Sequence, residues 1–141
     1  MQMFSLKADF ARKNKTLFEM SQNWINNAFR FRGYTHKGCD CCGLIIGVLY
    51  ENDILDDDFI KKYKQIKFGT NLSKITNDVV LDNILLYFDR TDDILKSDLL
   101  LIQTKNSPIH FMIYEKGKKK NEARIIHTTK EIGRVFVANF E

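Results

Sequence analysis

Gly38-Cys39-Asp40-Cys41-Cys42-Gly43-Leu44-Ile45-Ile46-Gly47-Val48-Leu49 holds every cysteine of the chain at the entrance to an apolar segment. Asp40 carries a carboxylate that can accept from the free N–H groups of a first helical turn, so it reads as the N-cap of a helix beginning at Cys41. In a helix Gly43 and Gly47, four apart, line one face and permit close packing, although the β-branched Ile45, Ile46 and Val48 leave a strand as the alternative by periodicity alone. A thiol at a helix start meets the positive end of the helix dipole and unpaired amides, both of which favour thiolate over thiol. A thiolate with a positioned imidazole is a nucleophile, and the segment reads as that of a cysteine hydrolase.

The 141-residue chain, 44% apolar with a single proline, is sized for one globular domain, 1–141. Its net charge of +4 is too diffuse to argue for nucleic acid, though it suits an anionic polymer such as a bacterial wall. Three cysteines within four positions do not make a disulfide framework, and the thiols are expected to be reduced. The N-terminus shows no charged start followed by an apolar run, and no stretch is long enough to span a bilayer. The expectation is synthesis in the cytoplasm without signal peptide or membrane partner, some other carrier taking the protein to any substrate outside.

Outward from the cysteines, the chain reads as helices first and sheet second. A helical lead-in (1–30) contains a helix from Asp9 to Asn27 with Phe10, Leu17, Phe18 and Trp24 as core contacts, and Gly33 and Gly38 break the chain before a nucleophile helix at about 40–50. A helical insertion at about 52–93 places Leu81, Ile84, Leu85 and Phe88 at helical spacing. The acidic clusters Asp56-Asp57-Asp58 and Asp92-Asp93 lack the alternation and central glycine of a calcium loop and read as solvated faces or helix starts. Within a sheet at about 98–141, Leu99–Gln103, Ile109–Tyr114, Arg124–Thr128 and Arg134–Ala138 read as four antiparallel strands, and the class is α+β.

Alternation puts His110, Met112 and Tyr114 on one strand face, and Ile125 and His127 on one face of the next. Lys116-Gly117-Lys118-Lys119-Lys120-Asn121 forms the polar connection between them. If Tyr114 pairs with Ala123, His110 falls directly opposite His127, with Cβ atoms about 5 Å apart. Two imidazoles so placed can serve as a base and as the group that fixes its tautomer.

Phe29-Arg30-Phe31-Arg32-Gly33 and then Lys37-Gly38-Cys39-Asp40-Cys41-Cys42-Gly43-Leu44 resembles the nucleophile region of the NlpC family of papain-like cell-wall peptidases, Pro-Tyr-Arg-x-Gly-Gly, a spacer, then Gly-x-Asp-Cys-Ser-Gly-Leu. Ser97-Asp98-Leu99-Leu100-Leu101 is similar to that family's Gly-Asp-Leu strand, His110-Phe111-Met112-Ile113-Tyr114 to its His-Val-Gly-Ile-Tyr, and Ile126-His127 to its Ile-His. The resemblance runs from about Trp24 to the C-terminus. It implies a papain-like fold with Cys41 as nucleophile, His110 as general base and His127 as the residue orienting it. It also implies hydrolysis of peptidoglycan stem peptides, between D-glutamate and a diamino acid, with no metal or other cofactor. The long interval from Cys41 to His110 and the small size resemble the branch encoded beside tail genes of phages and gene-transfer agents, which makes tail proteins the implied partners and a phage-like particle the implied carrier.

The chain departs from that pattern at Phe29 for Tyr, Ala28 for Pro, Arg32 for the first Gly of the pair, Cys42 for Ser, and Met112 for Gly. Two other readings use the same residues. One is a structural zinc site of His36, Cys39, Cys41 and Cys42, in which adjacent Cys41 and Cys42 make tetrahedral closure awkward. The other is a non-catalytic tail or wall-binding module of the same fold.

Overall fold

A computed structural model describes residues 1–12, 14–65, 81–103, 109–119 and 121–140. The part of the expected helical insertion numbered 66–80, the Lys120 position of the polar connection, and positions 104–108 and 141 of the expected sheet lie outside the described residues.

The architecture is α+β. In chain order the elements are β1 (Gln2–Leu6), α1 (Leu17–Met20), β2 (Tyr34–Thr35), β3 (Gly38–Cys39), α2 (Cys41–Glu51), α3 (Asp57–Gln65), β4 (Phe88–Thr91), β5 (Leu99–Ile102), β6 (His110–Glu115), β7 (Arg124–Thr128) and β8 (Val135–Asn139). Six of the strands form one antiparallel sheet in the order β4-β1-β5-β6-β7-β8, and β2 and β3 make a separate two-stranded hairpin. Among the described residues no helix is long and apolar enough to cross a membrane.

The order along the chain differs from helices first and sheet second. The N-terminal segment Gln2–Leu6 is a strand inside the sheet, pairing Phe4 with Leu99 on one side and with Arg90 on the other. Among the described residues, which leave out position 13, the stretch from Asp9 to Asn27 is not one helix but short helical pieces, Ala8–Phe10, Leu17–Met20 and Gln22–Trp24. Thr16 and Glu19 explain why the middle piece starts where it does, since they exchange the two hydrogen bonds of a capping box. Leu17, Phe18 and Trp24 are buried, with Phe10 partly so, but they reach the core from a chain that turns repeatedly. Phe88, spaced as the next turn of a helix, instead begins β4; among the described residues only 81–84 is helical there.

α2 is the centre of the molecule. Every residue from Cys42 to Leu49 is buried, so the helix is surrounded, as its apolar run requires. One sheet face, carrying Phe4, Leu99, Leu101, Phe111, Ile113, Ile126 and Val135, shares a core with Leu44, Ile45 and Leu49 of the helix. Each such fully buried aliphatic side chain contributes about 1.5–3 kcal/mol. The two glycines let the helix approach its neighbours: a Cβ at Gly47 would lie 2.4 Å from both the Trp24 ring and the Tyr34 carbonyl oxygen, and one at Gly43 would lie 1.6 Å from the Gly33 carbonyl oxygen. That close seat in the core decides for helix where periodicity alone left helix and strand open. Leu100, Met112, Tyr114 and Ile125 form a smaller cluster on the opposite sheet face. Asp56 and Asp93 each accept a backbone N–H at a helical start, from Phe59 and Leu95 respectively, so both acidic clusters serve as caps.

Candidate active site

Cys41 is the first residue of α2, and Asp40 caps the helix. One Asp40 oxygen accepts from the Gly43 amide at 2.7 Å and the other from the Arg32 amide at 2.8 Å. A single carboxylate therefore ties the turn before the helix to its first turn. Losing an N-cap costs about 1 kcal/mol, and here the bond to Arg32 would go with it. Arg32 itself sits in the left-handed backbone region at φ 64°, which costs a non-glycine residue about 1–2 kcal/mol.

Cys41 opens on a cleft of about 260 Å³. It is lined by Phe29, Phe31 and Arg32, by Ile109 and His110 at the start of β6, by Tyr63 of α3, and by Thr128 at the end of β7 with Thr129, Lys130 and Glu131 after it. Tyr63 and the Thr128–Glu131 stretch escaped the sequence reading. For Tyr63 a signal existed, since it lies three residues after Ile60 on the buried face of α3. Thr128 is 1% exposed and its Oγ1 has no hydrogen-bond partner among the described residues.

The three cysteines are free and differ in setting. Cys39 is fully buried and its sulfur accepts from Asn27 Nδ2 at 3.3 Å. Cys42 borders the cleft but is buried. Cys41 is partly buried, with Sγ 3.9 Å from the Ile109 carbonyl oxygen, a long, weak S–H donation. Burial pushes the Cys41 thiol up to about 11 and the nearby Asp40 charge adds to this, against the backbone amides of Phe111, Cys42 and Cys41, which favour the anion. The helix start thus does favour thiolate, as the sequence suggested, but desolvation outweighs it and the resting group is a thiol.

His110 and His127 are brought together, with His110 Nε2 2.9 Å from His127 Nδ1 and the ring planes inclined at 64°. Their strand register is not the expected one. Tyr114 pairs with Ile125, not Ala123, and Ile113 with Ile126. Continued along both strands, that register would set Met112 across from His127. A slip of two keeps every side chain on its face, so the histidines meet along the diagonal, within reach of long side chains. His127 also packs against Phe136, ring centroids 4.3 Å apart. Burial lowers the His110 imidazole from its ordinary value, and burial with the His110 charge beside it pulls His127 down to about 4. Both rings are therefore neutral near pH 7. Among the described residues the sulfur of Cys41 bonds to the Ile109 carbonyl and not to the His110 ring, although Cys41 and His110 both border the cleft.

The four residues of the zinc alternative are not gathered. His36 stacks on Trp24 with centroids 4.0 Å apart and pairs with Glu51 at the far end of α2. Among the described residues no three His, Cys, Asp or Glu side chains form a group able to hold a metal ion. No family model, curated protein or solved structure gives a significant match to the chain.

Proposed function

We propose that the protein is a papain-like cysteine peptidase of the NlpC type that hydrolyses peptidoglycan stem peptides, at the D-glutamyl–diamino acid bond, working with phage-type tail proteins. The observation that carries this reading is the bond from His110 Nε2 to His127 Nδ1 beside a cleft that also holds a helix-start cysteine. If His110 donates through Nε2, its Nδ1 is left as the unprotonated nitrogen, the form a base needs. His127, neutral down to about pH 4, then accepts at Nδ1 as its Nε2–H tautomer.

The reaction is acyl transfer. With thiol and imidazole both neutral at rest, proton transfer accompanies attack. Sγ leaves the Ile109 carbonyl for the His110 ring, His110 Nδ1 takes the thiol proton, and sulfur attacks the amide carbonyl carbon. The amides of the first turn of α2, that of Cys41 among them, receive the oxyanion. His110 then gives its proton to the leaving amine, the C–N bond breaks, and water, deprotonated by His110, hydrolyses the thioester.

The second reading, a non-catalytic tail or wall-binding module, is favoured by one observation: Sγ is bonded to a backbone carbonyl and not to His110. Incubating muropeptides with the protein and with Cys41→Ala, then weighing the products by mass spectrometry, separates the two. New fragments with the wild type alone support the peptidase; unchanged muropeptides that nonetheless bind the protein support the module.

A further inference from the structure

We propose that the Tyr63 hydroxyl is a catalytic hydrogen-bond donor to the carbonyl oxygen of the group that Cys41 attacks. The inference rests on reading the cleft as a site of thiol attack on a carbonyl. It adds to that reading a residue from α3, a helix that carries neither the cysteines nor the histidines.

Tyr63 is held in place while its hydroxyl is unengaged. Ile60 and Tyr63, three apart, are the buried residues of α3, so this face of the helix turns inward. The Tyr63 ring meets the Tyr34 ring edge-on, with centroids 5.7 Å apart and planes at 89°, which limits its swing. The residue is only 8% exposed, yet among the described residues its hydroxyl has no hydrogen-bond partner. A buried tyrosine hydroxyl ordinarily has one. A phenol left without a partner at the edge of a cleft is matched to an acceptor that arrives from outside.

The same cleft holds Tyr63, Cys41 and His110. Burial raises the Tyr63 phenol from its ordinary value, and negative charge at Cys42, Asp40 or Cys41 raises it further, against the Arg32 charge. The hydroxyl is therefore close enough to feel the first turn of α2, and near neutral pH it is a donor and not a base. Thr128 Oγ1, also unpartnered and at the cleft, is closed off from solvent, whereas the Tyr63 hydroxyl is not closed off in that way. As sulfur attacks, the carbonyl oxygen gains negative charge. A fixed neutral donor then binds it more strongly than it binds the ground-state carbonyl, and this difference accelerates the step.

The test uses p-nitrophenyl acetate alongside muropeptides. In the ester reaction Cys41 sulfur bonds to the acetyl carbon, its proton passes to His110, and p-nitrophenolate leaves with the electron pair of the broken C–O bond. Nitrophenolate release is measured with Cys41→Ala as background, and acetylation of Cys41 is confirmed by mass. Tyr63→Phe removes the hydroxyl and keeps the ring against Tyr34, so the melting temperature should stay level. Acetylation should fall about tenfold or more, and muropeptide kcat with it at unchanged KM, the direction expected for a lost oxyanion donor. Muropeptide affinity of Cys41→Ala, read by calorimetry, should be the same with and without Tyr63→Phe. Unchanged acetylation in Tyr63→Phe overturns the assignment. So does a loss confined to KM and affinity, which makes the phenol a binding contact, and so does a fall in melting temperature that accounts for the lost rate. Failure of the peptidase reading looks different: Tyr63-dependent acetylation of Cys41 without muropeptide cleavage removes the cell-wall peptidase and leaves Tyr63 its role. Acetylation and cleavage that are both indifferent to Tyr63→Phe do the reverse. Neither acetylation of Cys41 nor cleavage removes both.

Discussion

His110 Nε2 lies 2.9 Å from His127 Nδ1 although the β6–β7 register does not set the two residues opposite each other. The contact is a diagonal one, closed by ring orientation. His127 is itself held by the Phe136 ring on the adjacent strand β8, whose register places Phe136 directly across from it. The imidazole that would act as base is therefore fixed through two successive strands.

The first prediction comes from which atoms meet. In the tautomer proposed above, His127 Nδ1 is the acceptor of the 2.9 Å bond, a role that an amide oxygen can fill. His127→Asn or His127→Gln should keep measurable muropeptide hydrolysis, while His127→Ala should lose roughly one to three orders of magnitude in kcat/KM as the base loses its orientation. His110→Asn should be far worse, since no amide replaces the base. Wild-type activity in His127→Ala, or equal effects at both histidines, would show that this division of roles is wrong.

A second prediction concerns thiol reactivity. Burial holds Cys41 and Cys39 at about 11 and Cys42 well above its ordinary value, and only Cys41 is both partly exposed and at the cleft. Alkylation of native protein by iodoacetamide should label Cys41 first, with a rate that keeps climbing as pH rises past 9. Peptide mapping reads the site. A rate already flat between pH 6 and 8 would mean a preformed thiolate–imidazolium pair and a different first step, and prior labelling of Cys39 would remove Cys41 as the nucleophile.

The helix that carries Cys41 was readable because its signals are local: Asp40 at the cap, and glycines at 43 and 47 on one face. The sheet was readable only where strands are long and alternate. β1 is five residues at the chain start with one fully inward side chain, Phe4, and its partners lie more than 80 positions away, so nothing nearby in sequence announces it. Phe88 fitted a helical period with Ile84 yet sits in β4, because pairing with Leu6 overrides spacing. The histidine pair was found on the correct face with the wrong register, since alternation fixes parity but a guessed loop length does not fix pairing. Of the residues lining the cleft, Thr129 to Glu131 follow the end of β7 where no periodic signal runs, and only folding brings them to the same cleft as Phe31.

The histidines also set a pH dependence of stability. Unfolded, His127 takes a proton near its ordinary value of about 6.5; folded, it does so only near about 4. Between those values the unfolded state binds more protons, so acidification destabilises the fold. The contribution is complete above about 6.5 and declines as pH falls toward about 4; His110, lowered by burial, acts in the same sense. Asp40 and Asp98, raised by burial, act in the opposite sense, so the wild type alone does not isolate the effect. The difference in urea stability between wild type and His127→Asn should shrink on going from pH 7 to pH 4.5. A difference independent of pH would refute the assignment of a buried neutral imidazole.

The Asp40 carboxylate separates fold from site. It bridges the Arg32 and Gly43 amides, and Cys41 comes directly after it. Asp40→Ala leaves both amides without their acceptor and should cost about 1–3 kcal/mol in chemical denaturation, the sum expected for a lost cap and a buried unpaired donor. Asp40→Asn keeps one carbonyl oxygen and can satisfy one of the two amides, so it should lose less stability than Asp40→Ala. Its effect on catalysis should be the larger one, because the turn carrying Arg32 and the first turn of α2 are no longer tied by one rigid group. Hydrolysis by Asp40→Asn should therefore fall by about tenfold or more under conditions where the variant is fully folded, the scale on which misplacement of reacting groups acts. Stability unchanged in Asp40→Ala would show that the cap is dispensable. Full activity in Asp40→Asn would show that Cys41 is positioned by the core contacts of α2 alone.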